Sequence, residues 1–415
     1  MKVFFWFCLF LLIPGLLLRI PSSGAGILAT DILLPIFSVV WVFKKIVIDR
    51  SFTKTFFLLP GCVFLLVAIL SFLLGSFELL PLEQFLSAAY LIRFASFLIF
   101  GWAASDMFQT PNSTESFLKK IFWITAAVVV LGFLQFYLVP DISDWSTEGG
   151  WDPHTGRLLG TWMDPNFVAG FLGFMLPVVI AFFYHTPSKK TKFWLSLLIA
   201  LSAGALFLTF SRSGYLASAM GLFLFFIFRD PKIILIGILL SVIGVLSNER
   251  AQKRLEEFSG TISALVFEDT DEVDPTASLR IQSWEKSFEL WKKYPFLGIG
   301  FNTYRYRAAE EGIVNENYFS AGGSDSTHLT VLVTMGIIGF AAYLWFLGTL
   351  FFVPFFRFFR TRNEIFLGFA AGFIALMVHA TFVNSLLFPL IFLPVIALGG
   401  VLEHVASPSL PERNS

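Results

Sequence analysis

Long apolar runs dominate this chain and restrict what it can fold into. Hydrophobic residues make up 56% of the 415 positions and charged residues only 14%, whereas soluble domains contain about 25% charged residues. A helix needs about 20 apolar residues to cross the hydrocarbon core of a bilayer, and runs of this length recur along the sequence. The composition therefore predicts an all-α integral membrane protein rather than a soluble protein with one large core.

Twelve apolar segments reach the length of a transmembrane helix, which predicts about twelve membrane spans. The first segment could also be a secretory signal peptide, but it lacks a clean small-x-small cleavage site, and this favours an uncleaved span. The segments lie near residues 3–20, 27–48, 56–75, 85–104, 120–140, 166–185, 193–210, 213–229, 232–247, 329–356, 365–386 and 388–404.

One long polar stretch, residues 248–328, interrupts this pattern between the ninth and tenth predicted spans. It divides the chain into nine transmembrane helices over 1–247, the polar loop itself, three transmembrane helices over 329–404, and a short tail over 405–415. A membrane protein that holds one large basic loop on one face is expected to handle an anionic molecule there.

Three local features organise the polar loop. Residues 277–294 carry apolar side chains at helical spacing and end at Tyr294-Pro295, which predicts an amphipathic helix. Gly298 and Gly300 predict a turn directly after this helix. The acidic run 268–274 predicts a solvated loop.

The short connectors differ in charge, and this difference orients the predicted spans. Basic clusters occupy alternate connectors, for example at 44–54, 189–192 and 357–362, whereas the other short connectors contain few cations. Because basic residues accumulate on the cytoplasmic side, both termini are predicted to be cytoplasmic and the 248–328 loop to be outside. A translocated loop of this length is not bound by the charge rule.

Arginines on the outer side are the first candidates for a binding site, since their planar fork of donors matches phosphate oxygens. Arg212 lies between two spans, where it either snorkels from a helix end or binds an anion. Arg93 lies inside a span, where charge is costly, so it either has a function or pairs with Asp31. The polar loop contributes Arg280, Arg305 and Arg307.

Two polar segments beside predicted spans carry further candidates. Asp164-Pro165-Asn166 precede the sixth span, and both Asp and Asn favour the N-cap position of a helix. They are therefore interpreted first as a cap and second as supporting residues of the site. His328 ends the polar loop and suits a general base, although a lone histidine is more often a structural hydrogen-bonding residue. Asp325 is the alternative base.

Other kinds of chemistry have no signal in this sequence. There is no Walker loop, dinucleotide fingerprint or nucleophile elbow, and no His/Asp/Glu spacing typical of a metal site. We therefore expect no cofactor, no metal and no nucleic-acid partner.

Four segments, in this order, resemble the O-antigen ligase and O-antigen polymerase (Wzy-type) superfamily. They are GTWMDPNFVAGFLGFMLP at 160–177, TFSRSGYLA at 209–217, RIQSWEKSFELWKKYPFLGIGFNTY at 280–304, and the His328 junction leading into LVTMGIIGFAAYL at 332–344. The resemblance covers about residues 160–345, and the preceding spans match in hydropathy alone.

The resemblance implies a protein of the bacterial cytoplasmic membrane that moves a glycan from undecaprenyl diphosphate to a sugar hydroxyl on a lipid or glycan acceptor. It implies that Arg212 and Arg280 hold the donor diphosphate and that Arg305 or Arg307 assists. His328 would activate the acceptor, without a metal. Leu329 stands where relatives often have asparagine, which departs from the family pattern beside that histidine.

Two other functional classes fit parts of the pattern. A transporter or flippase for a lipid-linked anionic glycan would share the spans and the basic outer loop, but transporters tend to show two similar halves, and no internal repeat is present. Such a protein would expose its cationic pocket to the two sides in turn, whereas an enzyme would hold it at the outer boundary. A structural subunit would leave the arginines unclustered.

Overall fold

The computed structural model describes residues 1–20, 27–75, 78–144, 154–250, 252–253, 256, 275–314 and 322–405. The predicted acidic loop at 268–274 and the predicted tail after residue 405 lie outside them. The described helices are α1 (Lys2–Phe10), α2 (Ala29–Phe43), α3 (Leu58–Gly75), α4 (Pro81–Met107), α5 (Pro111–Leu138), α6 (Pro165–His185), α7 (Lys189–Leu208), α8 (Arg212–Arg229), α9 (Lys232–Leu246), α10 (Pro275–Lys293), α11 (Tyr304–Glu310), α12 (Thr327–Thr361), α13 (Glu364–Phe382) and α14 (Pro389–Val401). A hairpin of β1 (Arg19–Ile20) and β2 (Ile27–Leu28) joins α1 to α2.

Helices make up nearly all of the described regular structure, as expected for an all-α membrane protein. Seven described helices are long and apolar enough to cross a bilayer, namely α3, α4, α5, α6, α7, α12 and α13. The other predicted spans contain shorter helices or, in α8, a helix with arginine at both ends. The fold is therefore that of a multi-pass membrane protein, while the number of twelve spans stays a prediction.

Small residues allow close helix packing at the centre of the bundle. A side chain at Gly368 of α13 would overlap Ala181 of α6, and one at Gly372 would overlap the carbonyl of Phe174. Because lipid tails are as apolar as leucine, helices in a membrane associate through such close van der Waals contact rather than through the hydrophobic effect. The contact between α6 and α13 forms the middle of the core.

A sharp bend divides α12, which the sequence predicts as one continuous span. Gly336 has a φ of +64° and a ψ of −170°, so the helix ends there and a second helical segment begins. The bend brings the first turn of α12 back toward its own continuation, and the Nδ1 atom of His328 lies 3.0 Å from the Tyr343 hydroxyl. A straight helix would separate these two residues by about 22 Å.

The turn at 295–300 satisfies the backbone groups that the bend releases. Ile299 and Gly300 donate their amides to the Val333 and Thr334 carbonyls at 3.1 and 3.0 Å. In the other direction, the amides of residues 337 and 338 donate to the carbonyls of residues 295 and 296 at 2.8 and 3.2 Å. Unsatisfied backbone groups are costly inside a membrane protein, so this exchange makes the bend stable.

Glycine is required at several points of this contact. Gly298 and Gly300 have φ values of +71° and +111°, which confirms the predicted turn. A Cβ atom at Gly298 would overlap the Thr334 backbone, and one at Gly336 would overlap the Phe296 carbonyl. The segment over 295–300 and the bend in α12 therefore form one structural unit, in which the polar loop holds the start of α12.

We expect Gly336→Ala to lower the free energy of unfolding by about 3 kcal/mol, since it combines an unfavourable positive φ with overlap in a packed contact. Gly312→Ala is the matched control. Gly312 has a similar φ of +69°, but a Cβ there meets nothing within 4 Å, so the loss should be about 1 kcal/mol.

Unfolding of the purified protein in mild detergent, followed by denaturant titration, measures both losses. Equal destabilisation by the two substitutions would contradict the close contact between residue 336 and the 295–300 turn.

Candidate functional site

A cavity of about 660 Å³ lies at one end of the helical bundle. Its lining comes from the hairpin after α1, α4 between Leu86 and Phe97, the α5–α6 and α7–α8 connectors, the polar loop with the start of α12, and the α13–α14 connector. The intervening connectors of the described chain contribute no lining residue. Alternate connectors therefore converge on one cavity, as expected for a chain that crosses a membrane repeatedly.

Positive charge dominates the polar part of this cavity. Two aspartates, Asp164 and Asp325, face six arginines of the described chain, and apolar side chains complete the wall. Guanidinium groups stay charged at any physiological pH, so the cavity has an electrostatic preference for anions. The arginines are Arg19, Arg93, Arg157, Arg212, Arg280 and Arg305.

Three of the helices that begin at the cavity have a side-chain cap at their N-terminus. The Asp164 carboxylate accepts the Asn166 amide at 2.7 Å, which confirms the predicted N-cap of α6. Ser211 accepts the Gly214 amide at 3.2 Å at the start of α8, and Ser326 caps α12. Because helix N-termini carry partial positive charge, they add to the field of the arginines.

Asn166 also ties two of these helix starts together. Its side-chain carbonyl accepts a hydrogen bond from the Ser211 hydroxyl at 2.8 Å. Arg212 follows Ser211 directly as the first residue of α8, and both residues line the cavity. The predicted supporting residues Asp164 and Asn166 thus lie beside Arg212 and fix the backbone from which it extends.

Arg93 forms an ion pair with Asp31, which is the alternative to a functional role predicted from the sequence. Its Nε and Nη2 atoms donate to the two Asp31 carboxylate oxygens, both at 2.7 Å. The guanidinium also lies 4.0 Å from the centre of the Tyr90 ring. Arg93 still lines the cavity, but its bidentate partner neutralises much of its charge, so the structure favours a supporting position.

Arg280 and Arg305 reach the cavity, whereas Arg307 does not. Arg307 donates to Glu78 at 2.6 Å, to Glu310 at 3.1 Å and to the Gly75 carbonyl at 2.9 Å. It lies two residues after Arg305 on α11, so its side chain leaves the helix on another face. The prediction that Arg307 shares the diphosphate site therefore needs correction: it anchors α11 to the end of α3.

His328 is also absent from the cavity lining, contrary to its predicted place in the site. Its Nε2 atom lies 2.9 Å from the Met377 carbonyl, and Nδ1 lies 3.0 Å from the Tyr343 hydroxyl. The bend at Gly336 creates the second contact. Both ring nitrogens are thus directed into the protein, and a general base must reach the proton that it removes. This geometry assigns His328 to holding α12 against α13.

Besides the capping carboxylate of Asp164, two proton-accepting groups line the cavity. Asp325 comes just before the start of α12, as the alternative base predicted from the sequence. His154 lies in the α5–α6 connector near Arg157. No role is predicted from the sequence for His154, Arg157 or Arg19, because each is an isolated polar residue in a connector. Their only sequence signal is that they occur on the predicted outer side.

No group of three or more His, Cys, Asp or Glu residues that could hold a metal ion is found within the described ranges. The polar atoms around the cavity are mostly donors, from arginine and from helix starts. Donors of this kind suit an anionic ligand with several oxygens, such as a phosphate ester.

The ring of His154 makes the region sensitive to acid. Burial and the nearby Arg157 guanidinium lower the pKa of His154 from 6.5 to about 4. Because this folded-state pKa is below the ordinary value, the neutral His154 ring contributes to the stability of the fold above about pH 6.5. This contribution is lost as the pH falls toward 4.

We therefore expect the protection factors of the amides around His154, which are corrected for the intrinsic exchange rate, to fall between pH 6.5 and 4. This fall should disappear in His154→Gln. The measurement is hydrogen exchange with mass spectrometry, and the protected core of α6 serves as the internal reference. An unchanged acid response in the variant would mean that another group is responsible.

Comparison with known proteins is informative for the part of the chain that carries three of the six cavity arginines. Residues 197–344 match the family model described as O-antigen ligase. A search of curated proteins found no match to the chain. The matched residues include Arg212, Arg280, Arg305 and Asp325, and they agree with the resemblance found in the sequence motifs. This match over residues 197–344 supports an O-antigen ligase or polymerase type of family for the chain.

Proposed function

We propose that this protein is an integral-membrane glycosyltransferase of cell-surface polysaccharide biosynthesis. It takes a glycan from undecaprenyl diphosphate and transfers it to a sugar hydroxyl on a lipid or glycan acceptor. It acts at the outer face of the bacterial cytoplasmic membrane, with both termini inside and the 248–328 loop outside. The family of residues 197–344 supports this class of reaction, and the cavity supports this class of donor.

The convergence of arginine on one cavity is the observation that carries the proposal. Arg212 comes from the α7–α8 connector, Arg280 from α10 and Arg305 from α11, yet all three line the same space. A lipid diphosphate presents several negatively charged oxygens at the membrane boundary. Arginine forks bind such oxygens with charge-assisted hydrogen bonds, and the apolar part of the lining suits the first isoprene units of the lipid.

The reaction follows from this arrangement. The acceptor hydroxyl oxygen attacks the anomeric carbon of the donor sugar, and the bond from that carbon to the diphosphate oxygen breaks. The leaving diphosphate takes the bonding electron pair, and the arginines stabilise its growing charge. A single displacement of this kind inverts the anomeric configuration. Arginines and helix N-termini supply the positive charge, so the proposal includes no metal.

The acceptor proton goes to Asp325 in this proposal. Asp325 lines the cavity with the three donor-binding arginines, and a base must lie within reach of the hydroxyl that it activates. His328, the base implied by the resemblance, holds α12 in place through Met377 and Tyr343. Its loss would therefore act through the position of Asp325 and the start of α12.

A flippase is the second class considered, and the cavity favours the enzyme. A transporter would form its site from elements that open to both sides in turn. The connectors that line the cavity are all on the predicted outer side, and α4 and the first segment of α12 complete the described lining. The bend in α12 is not an ion or substrate passage of the kind that broken transporter helices form, because the 295–300 turn accepts and donates the hydrogen bonds of its free backbone groups.

We predict that replacing Arg212, Arg280 or Arg305 singly with Gln lowers glycan transfer by about 100-fold or more, the usual loss when one stabilising donor is removed from a charged transition state. Arg307→Gln is the matched control, since Arg307 lies on the same short helix as Arg305 but pairs outside the cavity. It should retain most of the wild-type rate.

The assay uses purified protein, a defined undecaprenyl-diphosphate glycan and candidate acceptors, with and without a chelator. Wild-type rates in a folded Arg212→Gln/Arg280→Gln double variant would rule out this pocket. Loss of activity with the chelator would refute the metal-free mechanism.

A separate prediction concerns the base. Asp325→Asn should lower kcat by about 100- to 10,000-fold, the range of general acid–base catalysis, while the KM for the donor changes little. His328→Gln should retain more activity, because its amide can still reach one of the two partners of the imidazole. Full kcat in Asp325→Asn, with loss confined to His328→Gln, would return the role of base to His328.

A further inference from the structure

We propose that Arg157 and Arg250 are positioning residues, which direct Arg212 into the cavity by clamping the turn between α7 and α8. The kinetic test of this inference rests on the proposed function, whereas the clamp itself is inferred from hydrogen bonds and distances. Arg157 contacts the backbone that precedes Arg212, and Arg250 contacts the Phe210 ring and the backbone beside Arg157.

The turn before Arg212 has an unusual backbone. Phe210 has a φ of +48°, a left-handed conformation that residues other than glycine seldom adopt and that persists only where the surroundings determine it. Ser211 then caps α8, and Arg212 is the first residue of that helix. The direction in which Arg212 leaves the backbone therefore depends on the conformation of Phe210.

Arg157 holds this turn through its carbonyl groups. Its Nε atom donates to the Thr209 carbonyl at 2.8 Å, and Nη2 donates to the Phe210 carbonyl at 3.4 Å. The amide of residue 158 donates to the Leu208 carbonyl at 2.9 Å. The last carbonyls of a helix need partners from outside it, and here three successive carbonyls receive them from residues 157 and 158.

Arg250 closes the clamp from the other side. Its guanidinium lies 4.5 Å from the centre of the Phe210 ring, a cation–π distance. The same group donates to the Gly156 carbonyl at 2.5 Å and to the Thr155 carbonyl at 3.0 Å. Arg250 thus connects the segment that carries Arg157 to the ring of the residue with the left-handed conformation.

The two residues differ in one respect that makes the proposal testable. Arg157 lines the cavity, whereas Arg250 is not among the lining residues. A direct contact with the donor would explain an effect of Arg157 alone. Positioning predicts that both matter, and that both act through Arg212.

The kinetic test is a double-variant cycle in the transfer assay. Arg157→Gln and Arg250→Gln should each lower the rate by about 10- to 100-fold, since a displacement of about 1 Å can have that effect. In an Arg212→Gln background, neither should cause a further loss. In an Arg305→Gln background, both should lower the rate again, because Arg305 lies on a different element.

The proposal would be overturned if the rate losses of Arg157→Gln and Arg250→Gln multiplied fully with that of Arg212→Gln. A wild-type rate in Arg250→Gln would also overturn it. Conservative replacement adds a further check. Arg157→Lys should not restore the rate, since an ammonium group cannot donate along the two directions of a guanidinium fork.

A second measurement keeps this inference separate from the proposed function. Of the two cysteines, Cys8 is buried and Cys62 is exposed, so Cys62→Ser removes background labelling. In this background, Arg212→Cys is labelled with a charged thiol reagent, and the labelling rate is compared with and without Arg157→Gln. We expect the rate to change several-fold, while labelling of Arg305→Cys stays the same. Unchanged labelling at position 212 would overturn the clamp even if the enzyme were active. A changed rate would support it even if the tested lipid were no substrate.

Discussion

Mutual repulsion among guanidinium groups is the constraint on which this structure depends. Six arginines share one cavity at the end of a helical bundle, and charges brought together in a low-dielectric surrounding are costly unless they are compensated. Arg93 is balanced by Asp31, and Arg157 is directed onto backbone carbonyls. Asp164 and Asp325 supply the remaining negative charge of the lining. An anionic ligand would complete this balance, and the proposed lipid diphosphate is a ligand of this kind.

Close helix contacts and hydrogen bonds hold the scaffold that presents these charges. The 295–300 turn exchanges hydrogen bonds with the broken α12 and so fixes the helix start that carries Asp325. Close approaches at Gly368 and Gly372 hold α13 on α6. Asn166 joins the starts of α6 and α8 through Ser211. The starts of α6 and α8 are therefore tied to each other, and the start of α12 is tied to α13 through His328.

Sequence patterns predicted the parts of this arrangement that depend on local order. The apolar runs located the helices, Asp164 was predicted as a cap, the Gly298 and Gly300 turn was anticipated, and Asp31 was named as a partner for Arg93. Features that depend on distant contacts could not be read in this way. Gly336 lies in an apolar run, so its positive φ has no sequence signal, and without the bend His328 could not be placed. The partner that removes Arg307 from the site, Glu78, lies 229 residues away along the chain.

The proposed function requires that the arginine cavity bind a lipid-linked diphosphate. Equilibrium binding of undecaprenyl diphosphate to the purified protein in nanodiscs measures this directly, with undecaprenol as the uncharged reference. We expect the diphosphate to bind far more tightly than the alcohol. The combined variant Arg212→Gln/Arg280→Gln/Arg305→Gln should raise the Kd for the diphosphate by about 100-fold or more, and added salt should weaken wild-type binding. An equal Kd for wild type and the combined variant, with both proteins folded, would contradict the account.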